Sequence, residues 1–238
     1  MKKVQHVFQR YEKKYVLNRQ QYERLCVIMQ PYMQADAYGK HTICNVYYDT
    51  DQYDLIRTSI DKPPYKEKLR LRSYGIPKME DTVFLELKKK VQGIVYKRRI
   101  SMPYQKALSY MKYPAEVETK DQIMKEIDYF LQYYTVKEKV YIAYDRIAYF
   151  GKQQADFRMT FDFRIRWRTQ HLGLDEGDYG QYLLNEDQVL MEIKMPTAMP
   201  LWLSKALTEL EIYPMSFSKY GVCYKEHLYQ QVLENVYV

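Results

Sequence analysis

Residues 156–167 read "DFRMTFDFRIRW". Arg158, Thr160, Asp162, Arg164 and Arg166 fall on one parity, and Phe157, Met159, Phe161, Phe163, Ile165 and Trp167 on the other. Successive side chains of a strand point to opposite faces, so the stretch predicts a strand with one apolar face. The charged face has two readings. It is either the wet side of an ordinary sheet, or the lining of a closed barrel in which charge concentrates into a field. One strand does not separate them; its neighbours can.

The same parity recurs along the chain. "VFQRYEKKYVL" alternates around Arg10, Glu12 and Lys14, and "YKEKLRLRSYG" aligns Lys66, Lys68, Arg70 and Arg72. "TVFLELKKKVQGIVYKRRISM" predicts a hairpin about Gln92-Gly93, with Glu86, Lys88 and Lys90 before the turn and Lys97 and Arg99 after it. "KVYIAYDRIAYFG" carries Arg146, "QVLMEIKM" carries Glu192 and Lys194, and "HTICNVYYDT" completes the set of strands. An ordinary surface sheet mixes both signs, because like charges facing each other across strands destabilise it. Here cations dominate, so an anionic partner is expected to offset the repulsion.

Between the strands the period changes to a helical one. Asn18 predicts an N-cap and Pro31 a stop; "DQYDLIRTSI" predicts a short helix or turn. Ser101 is expected to cap a helix running through Pro103, Leu108 and Met111, and Thr119 a second through Ile123, Ile127, Phe130, Leu131 and Tyr134. A helix over Leu203–Leu210 and an amphipathic one at the C-terminus follow. The acidic, glycine-rich "HLGLDEGDYGQYLL" is expected to be flexible, and it lacks the GxxxxGK of a phosphate cradle. The expected fold class is α+β: a closed eight-stranded antiparallel β-barrel with flanking helices, about wide enough for one extended polyanion.

No Pro/Gly/Ser-rich linker interrupts the 238 residues, so residues 1–238 are expected to form one domain. The 47% hydrophobic content, with 27 Tyr and 8 Phe, supplies a core and excludes a disordered chain. Excess cations (37 Lys and Arg against 30 Asp and Glu, net charge +7) suit an anionic partner. Cys26, Cys44 and Cys223 lack CxxC spacing, and His6, His41, His171 and His227 are scattered, which argues against a disulfide framework or a zinc site. The basic N-terminus has no signal-peptide apolar run, and no stretch of about 18 apolar residues occurs. A cytoplasmic protein without a membrane segment is expected.

Four carboxylates share the cationic parity: Glu12, Glu86, Asp162 and Glu192. Mg²⁺ and Mn²⁺ take oxygen ligands and commonly combine one or two carboxylates with substrate phosphates. Each carboxylate is therefore a candidate metal ligand, with a salt bridge to a neighbouring cation as its alternative.

"RYEKKY", "KLRLRSYG", "FLELKKKVQG" with "YKRR", "YDRIAYF" with "FRMTFD", "LMEIKM" and "SFSKYG" together resemble the VTC domain, the polyphosphate polymerase module of the vacuolar transporter chaperone family. That family belongs with the CYTH proteins among the triphosphate tunnel metalloenzymes. The resemblance implies a tunnel that binds a nucleoside triphosphate and a metal and lengthens a polyphosphate chain. By motif match, Lys14, Arg70, Arg72, Lys88, Lys97, Arg146 and Arg158 resemble its phosphate-binding lining, Glu192 its metal ligand, and Lys219 the basic residue closing on the phosphates. Lys88, Lys219 and the four arginines Arg70, Arg72, Arg146 and Arg158 are the expected catalytic set. Arg10, Lys14, Lys68, Lys90, Lys97, Arg99 and Lys194 are expected to bind phosphate. Glu12, Asp162 and Glu86 join Glu192 as metal candidates, and Arg166 and Arg168 are expected at the tunnel mouth.

CYTH hydrolases typically begin with ExExK, whereas Arg10 stands here where the first Glu would be. Losing that carboxylate weakens a second metal site and favours the polymerase branch. The expected reaction carries the γ-phosphoryl of ATP to inorganic polyphosphate, with Mn²⁺ or Mg²⁺ and release of ADP. Hydrolysis of a triphosphate in the same tunnel is the alternative. A non-catalytic polyanion or nucleic-acid binding module is a third reading, disfavoured because the cations sit within strands and no nucleic-acid motif occurs. The family's inositol-phosphate-sensing domain and membrane helices are not expected in this chain, which leaves a membrane-protein partner open. Arg70→Ala and Arg158→Ala are both expected to remove turnover and spare the fold.

Overall fold

The computed structural model of the protein describes residues 11–92, 94–114, 121–196 and 198–230. The fold is α+β, with a ten-stranded antiparallel sheet and six α-helices among the described residues. The eight expected strands are β1 (Tyr11–Leu17), β3 (His41–Asp49), β4 (Tyr65–Tyr74), β5 (Thr82–Val91), β6 (Ile94–Pro103), β7 (Lys137–Gly151), β8 (Arg158–Arg168) and β10 (Val189–Met195). Two short strands join them: β2 (Met33–Ala35) on β7 and β9 (Gln181–Tyr182) on β8. The ladder runs β1-β10-β8-β7-β3-β4-β5-β6. It is open among the described residues, beginning at β1 and ending at β6. The expectation of a closed barrel therefore holds for the strands and their antiparallel pairing, not for closure.

The chain divides into two compact units, entering each more than once. One comprises the described residues up to His41 with Tyr144–Ile165 and Leu184–Phe217. Its core joins Tyr15 and Leu17 of β1, Met159 and Phe161 of β8, and Met191 and Ile193 of β10 to two helices, α1 (Arg19–Met29) and α5 (Leu201–Glu209). Asn18 caps α1 as expected: its side chain accepts from the Gln21 amide, and the Gln21 side chain accepts in return from the Asn18 amide. In this unit the apolar parity faces the helices, and the charged parity takes the other side of the sheet.

The second unit comprises the described residues of Thr42–Ala143, Arg166–Leu183 and the chain from Ser218. Its core joins Cys44, Val46 and Tyr48 of β3, Leu69 and Leu71 of β4, and Leu85 and Leu87 of β5 to α3 (Tyr104–Lys112) and α4 (Gln122–Tyr133). Between β3 and β4 lies α2 (Asp54–Asp61), and α6 (Lys219–Cys223) continues into a π-helical turn, Tyr224–Leu228. The alternation expected for "KLRLR" and "FLEL" holds, with leucines in the core and Lys68, Arg70 and Arg72 opposite, whereas Lys89 of "FLELKKK" takes the leucine side and pairs with Glu67 and Glu126.

Two local expectations differ, and two others fall outside the described residues. Ser101 does not cap α3, because β6 stays paired with β5 to its end (Val83 with Met102, Thr82 with Pro103) and the helix starts at Tyr104. Thr119 and Gly93 lie outside the described residues; Asp121 caps α4 by accepting from the Met124 amide. The acidic loop after β8 is organised rather than flexible. Arg168 donates to the carbonyls of His171, Tyr179 and Gly173, Arg166 grips Asp178, and Leu174 is buried in the core.

Candidate functional site

The expected site residues divide between the two units; Arg10 lies outside the described residues. In the second unit the antiparallel register places Tyr47, Arg70, Glu86 and Arg99 directly opposite one another across β3, β4, β5 and β6. Glu86 is 2% exposed and anchors this row. Arg70 donates through Nε at 2.8 Å and approaches through Nη2 at 2.6 Å; Arg99 lies at 2.5 Å, Lys97 at 3.1 Å and Arg72 at 3.8 Å. Burial pushes the Glu86 carboxyl up, but the summed attraction of Arg70, Arg72, Lys97 and Arg99 outweighs it and holds the group far below the ordinary range. The group stays ionised and fans four cations around itself.

The next row places Lys68, Lys88 and Lys97 directly opposite one another on β4, β5 and β6, and Lys66 faces Lys90 one pleat further on. Loss of water around the Lys97 ammonium, aided by repulsion from Arg72 and Arg70 and opposed by Glu86, lowers its pKa to about 8, although half of the side chain stays exposed. Burial, with Lys90 and Lys62 nearby, also lowers Lys66. Lys68 donates to Ser218 Oγ at 3.3 Å, and Ser218 caps the helix that begins with Lys219. The expected catalytic Lys219 thus stands beside the lysine row.

Sequence reading passed over the β3 residues of this face. Tyr47 accepts from Arg70 Nη1 at 3.1 Å and stacks on Tyr220, 4.8 Å between centroids. Asn45 accepts from Arg72 Nε at 2.9 Å and donates to the Ile142 carbonyl. Asp49 is fully buried and accepts from Tyr220 and from the Leu55 and Ile56 amides. Burial raises the Asp49 carboxyl against those hydrogen bonds. The shared odd parity of Asn45, Tyr47 and Asp49 was the available signal.

In the first unit, β10 places Glu192 between Lys14 of β1 and Thr160 of β8, and Lys194 between Glu12 and Arg158. Glu192 is buried, with Lys194 Nζ at 2.6 Å and Lys14 Nζ at 3.6 Å; Lys14 also reaches Glu12 at 3.1 Å and donates to the Phe217 carbonyl. Burial raises the Glu192 carboxyl, yet Lys194, Lys14 and Arg146 together hold it far below its usual value. Asp162 is fully buried and accepts from both Nε and Nη2 of Arg146, at 2.6 and 2.8 Å. Burial opposes the Arg146 charge, but Asp162 more than compensates and strengthens it. Arg158 is exposed.

Arg164 breaks the alternation with which the strand began. Its φ of 47° puts a non-glycine residue in the left-handed region in mid-strand, and beyond it both parities are buried, Ile165 and Trp167 as well as Arg166 and Arg168. Arg166 and Arg168 grip the loop that follows, with the Arg168 guanidinium 3.6 Å from the centroid of Tyr141. They are structural rather than residues of a mouth.

No group of three or more His, Cys, Asp and Glu side chains is gathered to hold a metal among the described residues. The donor chemistry nevertheless differs among the four candidates. Both oxygens of Asp162 are taken by Arg146, and Glu86 is ringed by cations. Glu192 holds Lys194 Nζ at Oε1 and Lys14 Nζ at Oε2, and Glu12 shares that Lys14 ammonium, so a bound cation here would take the place of a lysine. These two carboxylates fit a hard divalent cation that completes its shell with phosphate oxygens.

A family model described as the VTC domain matches residues 9–227. No curated protein matches the chain. Two solved structures share its fold. One, from Bacillus halodurans, is described as a candidate adenylate cyclase (13% identity, 87% of this chain and 92% of that one, TM-score 0.55). The other, from Hippeastrum, is described as a candidate adenylyl cyclase with a dominant triphosphatase activity (16% identity, 91% of this chain and 96% of that one, TM-score 0.55). No described helix is long and apolar enough to cross a membrane.

Proposed function

This chain belongs to the VTC domain family, and on that premise we propose that it is a polyphosphate polymerase, acting on ATP and inorganic polyphosphate in the cytoplasm as one functional domain. The observation that carries the reading is the row of directly opposed lysines, Lys68, Lys88 and Lys97, beside a buried Glu86 that holds Lys97 and three further cations, Arg70, Arg72 and Arg99. A sheet that accepts such repulsion is matched to a polyanion.

In this reaction a terminal phosphate oxygen of the chain attacks the γ-phosphorus of ATP. The bond from that phosphorus to the β–γ bridging oxygen breaks, the polymer gains one phosphate, and ADP leaves. Such transfer needs positioning and charge neutralisation rather than a covalent nucleophile. Arg70 and Arg99, oriented by Glu86, and Arg146, oriented by Asp162, present their guanidinium groups in fixed directions to phosphate oxygens. Lys68, Lys88, Lys90, Lys97 and Lys219 supply charge along the polymer, as do Lys14, Arg158 and Lys194. Glu192 and Glu12 would hold Mn²⁺ or Mg²⁺, which when bound offsets charge on the phosphates. The attacking oxygen is already an anion, so no strong general base is required.

A second reading, hydrolysis of a triphosphate, is favoured by the activity described for the Hippeastrum neighbour. Incubation of the purified protein with ATP and Mn²⁺, followed by sizing of the products, separates the two. Polyphosphate chains with matching ADP support polymerisation. Stoichiometric free phosphate without chains refutes it in favour of hydrolysis.

A further inference from the structure

Thr160 lies directly opposite Glu192, which in turn lies directly opposite Lys14, so the three share one face and one row of β8, β10 and β1. Their chain neighbours Met159, Phe161, Met191 and Ile193 point the other way, into the core. Thr160 is 9% exposed, and its Oγ1 is buried without a hydrogen-bond partner among the described residues. A buried hydroxyl that makes no hydrogen bond destabilises the fold and calls for an explanation. Three other buried atoms share the condition, the hydroxyls of Tyr141 and Tyr224 and the indole nitrogen of Trp167. Each of those belongs to a large ring whose apolar body fills space. Threonine has no such justification, because valine fills the same volume without a hydroxyl.

The hydroxyl also stands beside a place arranged for positive charge. Glu192 and Glu12 lie 3.6 and 3.1 Å from the same ammonium, Lys14 Nζ, Glu192 also holds Lys194 Nζ at 2.6 Å, and Glu192 is itself buried, so the divalent cation would displace Lys14 from between the two carboxylates. Hard divalent cations accept neutral hydroxyl oxygens alongside carboxylates, as the Ser/Thr of phosphate-binding loops does for Mg²⁺. We propose that Thr160 is a further ligand-binding residue: its Oγ1 joins Glu192 and Glu12 as a neutral oxygen ligand of the divalent cation, and its O–H donates to a phosphate oxygen of the bound polyanion. The assignment deepens the metal-dependent reading of the same face and rests on it. It also explains why a hydroxyl occupies a position where the fold alone is better served by hydrocarbon.

The test measures Mn²⁺ binding by the full chain, with and without tripolyphosphate, through the electron paramagnetic resonance signal of free Mn²⁺. Wild type, Thr160→Val, Thr160→Ser and Glu192→Gln are compared, and the melting temperature of each metal-free protein is recorded. Expected are Mn²⁺ binding by wild type, weakening by about tenfold or more in Thr160→Val, near-wild-type affinity in Thr160→Ser, and loss in Glu192→Gln. The metal-free melting temperature of Thr160→Val should equal or exceed that of wild type, an outcome opposite to that of a structural hydrogen bond. If Thr160→Val does not fold, Thr160→Ala supplies the same comparison. Wild-type Mn²⁺ affinity in the Thr160 variants, with loss in Glu192→Gln, overturns the inference and leaves the metal reading standing. Wild-type affinity in Glu192→Gln, or no Mn²⁺ binding by wild type in either condition, overturns both.

Discussion

Replacing Glu86 with Gln keeps the shape of the side chain and removes the charge around which Arg70, Arg72, Lys97 and Arg99 are arranged. Removing one partner of a buried ion pair typically costs about 3–5 kcal/mol. The lower end applies here, since the side chains of Arg99 and Lys97 are 33% and 50% exposed and solvent screens them. Arg70 and Arg72, 24% and 7% exposed, carry most of the effect. About 3 kcal/mol in a chain of this length lowers the melting temperature by about 6–12 °C. Differential scanning calorimetry at pH 7 and low salt measures it. Glu86 titrates far below the unfolded carboxylate in the folded protein, so its contribution is fully present above the unfolded pKa and is lost only as strong acid protonates the folded state. Between pH 6 and 8 the gap between wild type and Glu86→Gln should therefore change in one direction only, narrowing towards pH 8 as Lys97, which Glu86 keeps protonated, sheds its proton earlier in the variant. Tripolyphosphate should narrow it by restoring negative charge to the cluster. A gap below about 2 °C, or one that widens with tripolyphosphate, refutes the view that Glu86 organises these cations.

Lys97, with a pKa of about 8, loses its proton in the folded state before the unfolded chain does, so its share of stability rises with pH from about 8 towards the ordinary lysine value. Tripolyphosphate affinity should fall over the same window, and Lys97→Arg should flatten that fall; calorimetric titration at pH 7, 8 and 9 reads both. Arg70→Ala should cost about 2 kcal/mol, the worth of hydrogen bonds to a charged group, whereas exposed Arg158→Ala should stay within about 0.5 kcal/mol, and both should abolish turnover. Phe161→Ala, which removes a fully buried ring packed edge-on against Tyr22 and Tyr149, should cost about 3–5 kcal/mol in urea melts. Arg164→Gly should gain about 1 kcal/mol by relieving the left-handed backbone, and unchanged or lower stability would show that the Arg164 side chain contributes more than its strain.

Period-2 alternation made the strands legible, because burial on one face imposes it: every leucine of "KLRLR" and "FLEL" reached the core, and every cation between them the opposite face. Register within a hairpin was legible too, since a two-residue turn after Val91 fixes Glu86 opposite Arg99 and Lys88 opposite Lys97. Pairing between strands distant in sequence was not. Nothing local in "HTICNVYYDT" announces that Tyr47 meets Arg70 or that Asn45 meets Arg72. The sequence also treated Arg70 and Arg158 as equivalent, each an arginine on the charged parity. Only the pairing shows that Arg70 grips a buried carboxylate while Arg158 lies exposed beside Lys194. Arg166 and Arg168 were misplaced because both parities of the strand are buried beyond Arg164, the arginines holding the following loop, and alternation in sequence carries no mark of that.

The two charged faces differ in their balance, and the difference assigns them different work. Around Glu86 four cations face a single carboxylate, and the lysine row beside it adds charge of the same sign. In the other unit, Lys14, Lys194, Arg146 and Arg158 accompany Glu12, Glu192 and Asp162, four charges against three. A surplus of fixed positive charge attracts a polyanion directly and repels a metal. A cluster nearer to balance, with the buried Glu192 beside the exposed Glu12, tolerates a divalent cation provided that one lysine gives way, and Lys14, the ammonium shared by two carboxylates, is the one positioned to do so. The buried acids thus do more than neutralise. Glu86 fixes the directions of the arginines before any ligand arrives, and Glu192 keeps a low-pKa carboxylate available through the whole neutral range. On the proposed function, phosphate charge falls to the first face and metal-bound phosphate to the second, and variants of the two should separate accordingly, one set losing tripolyphosphate affinity without metal and the other losing its enhancement by metal.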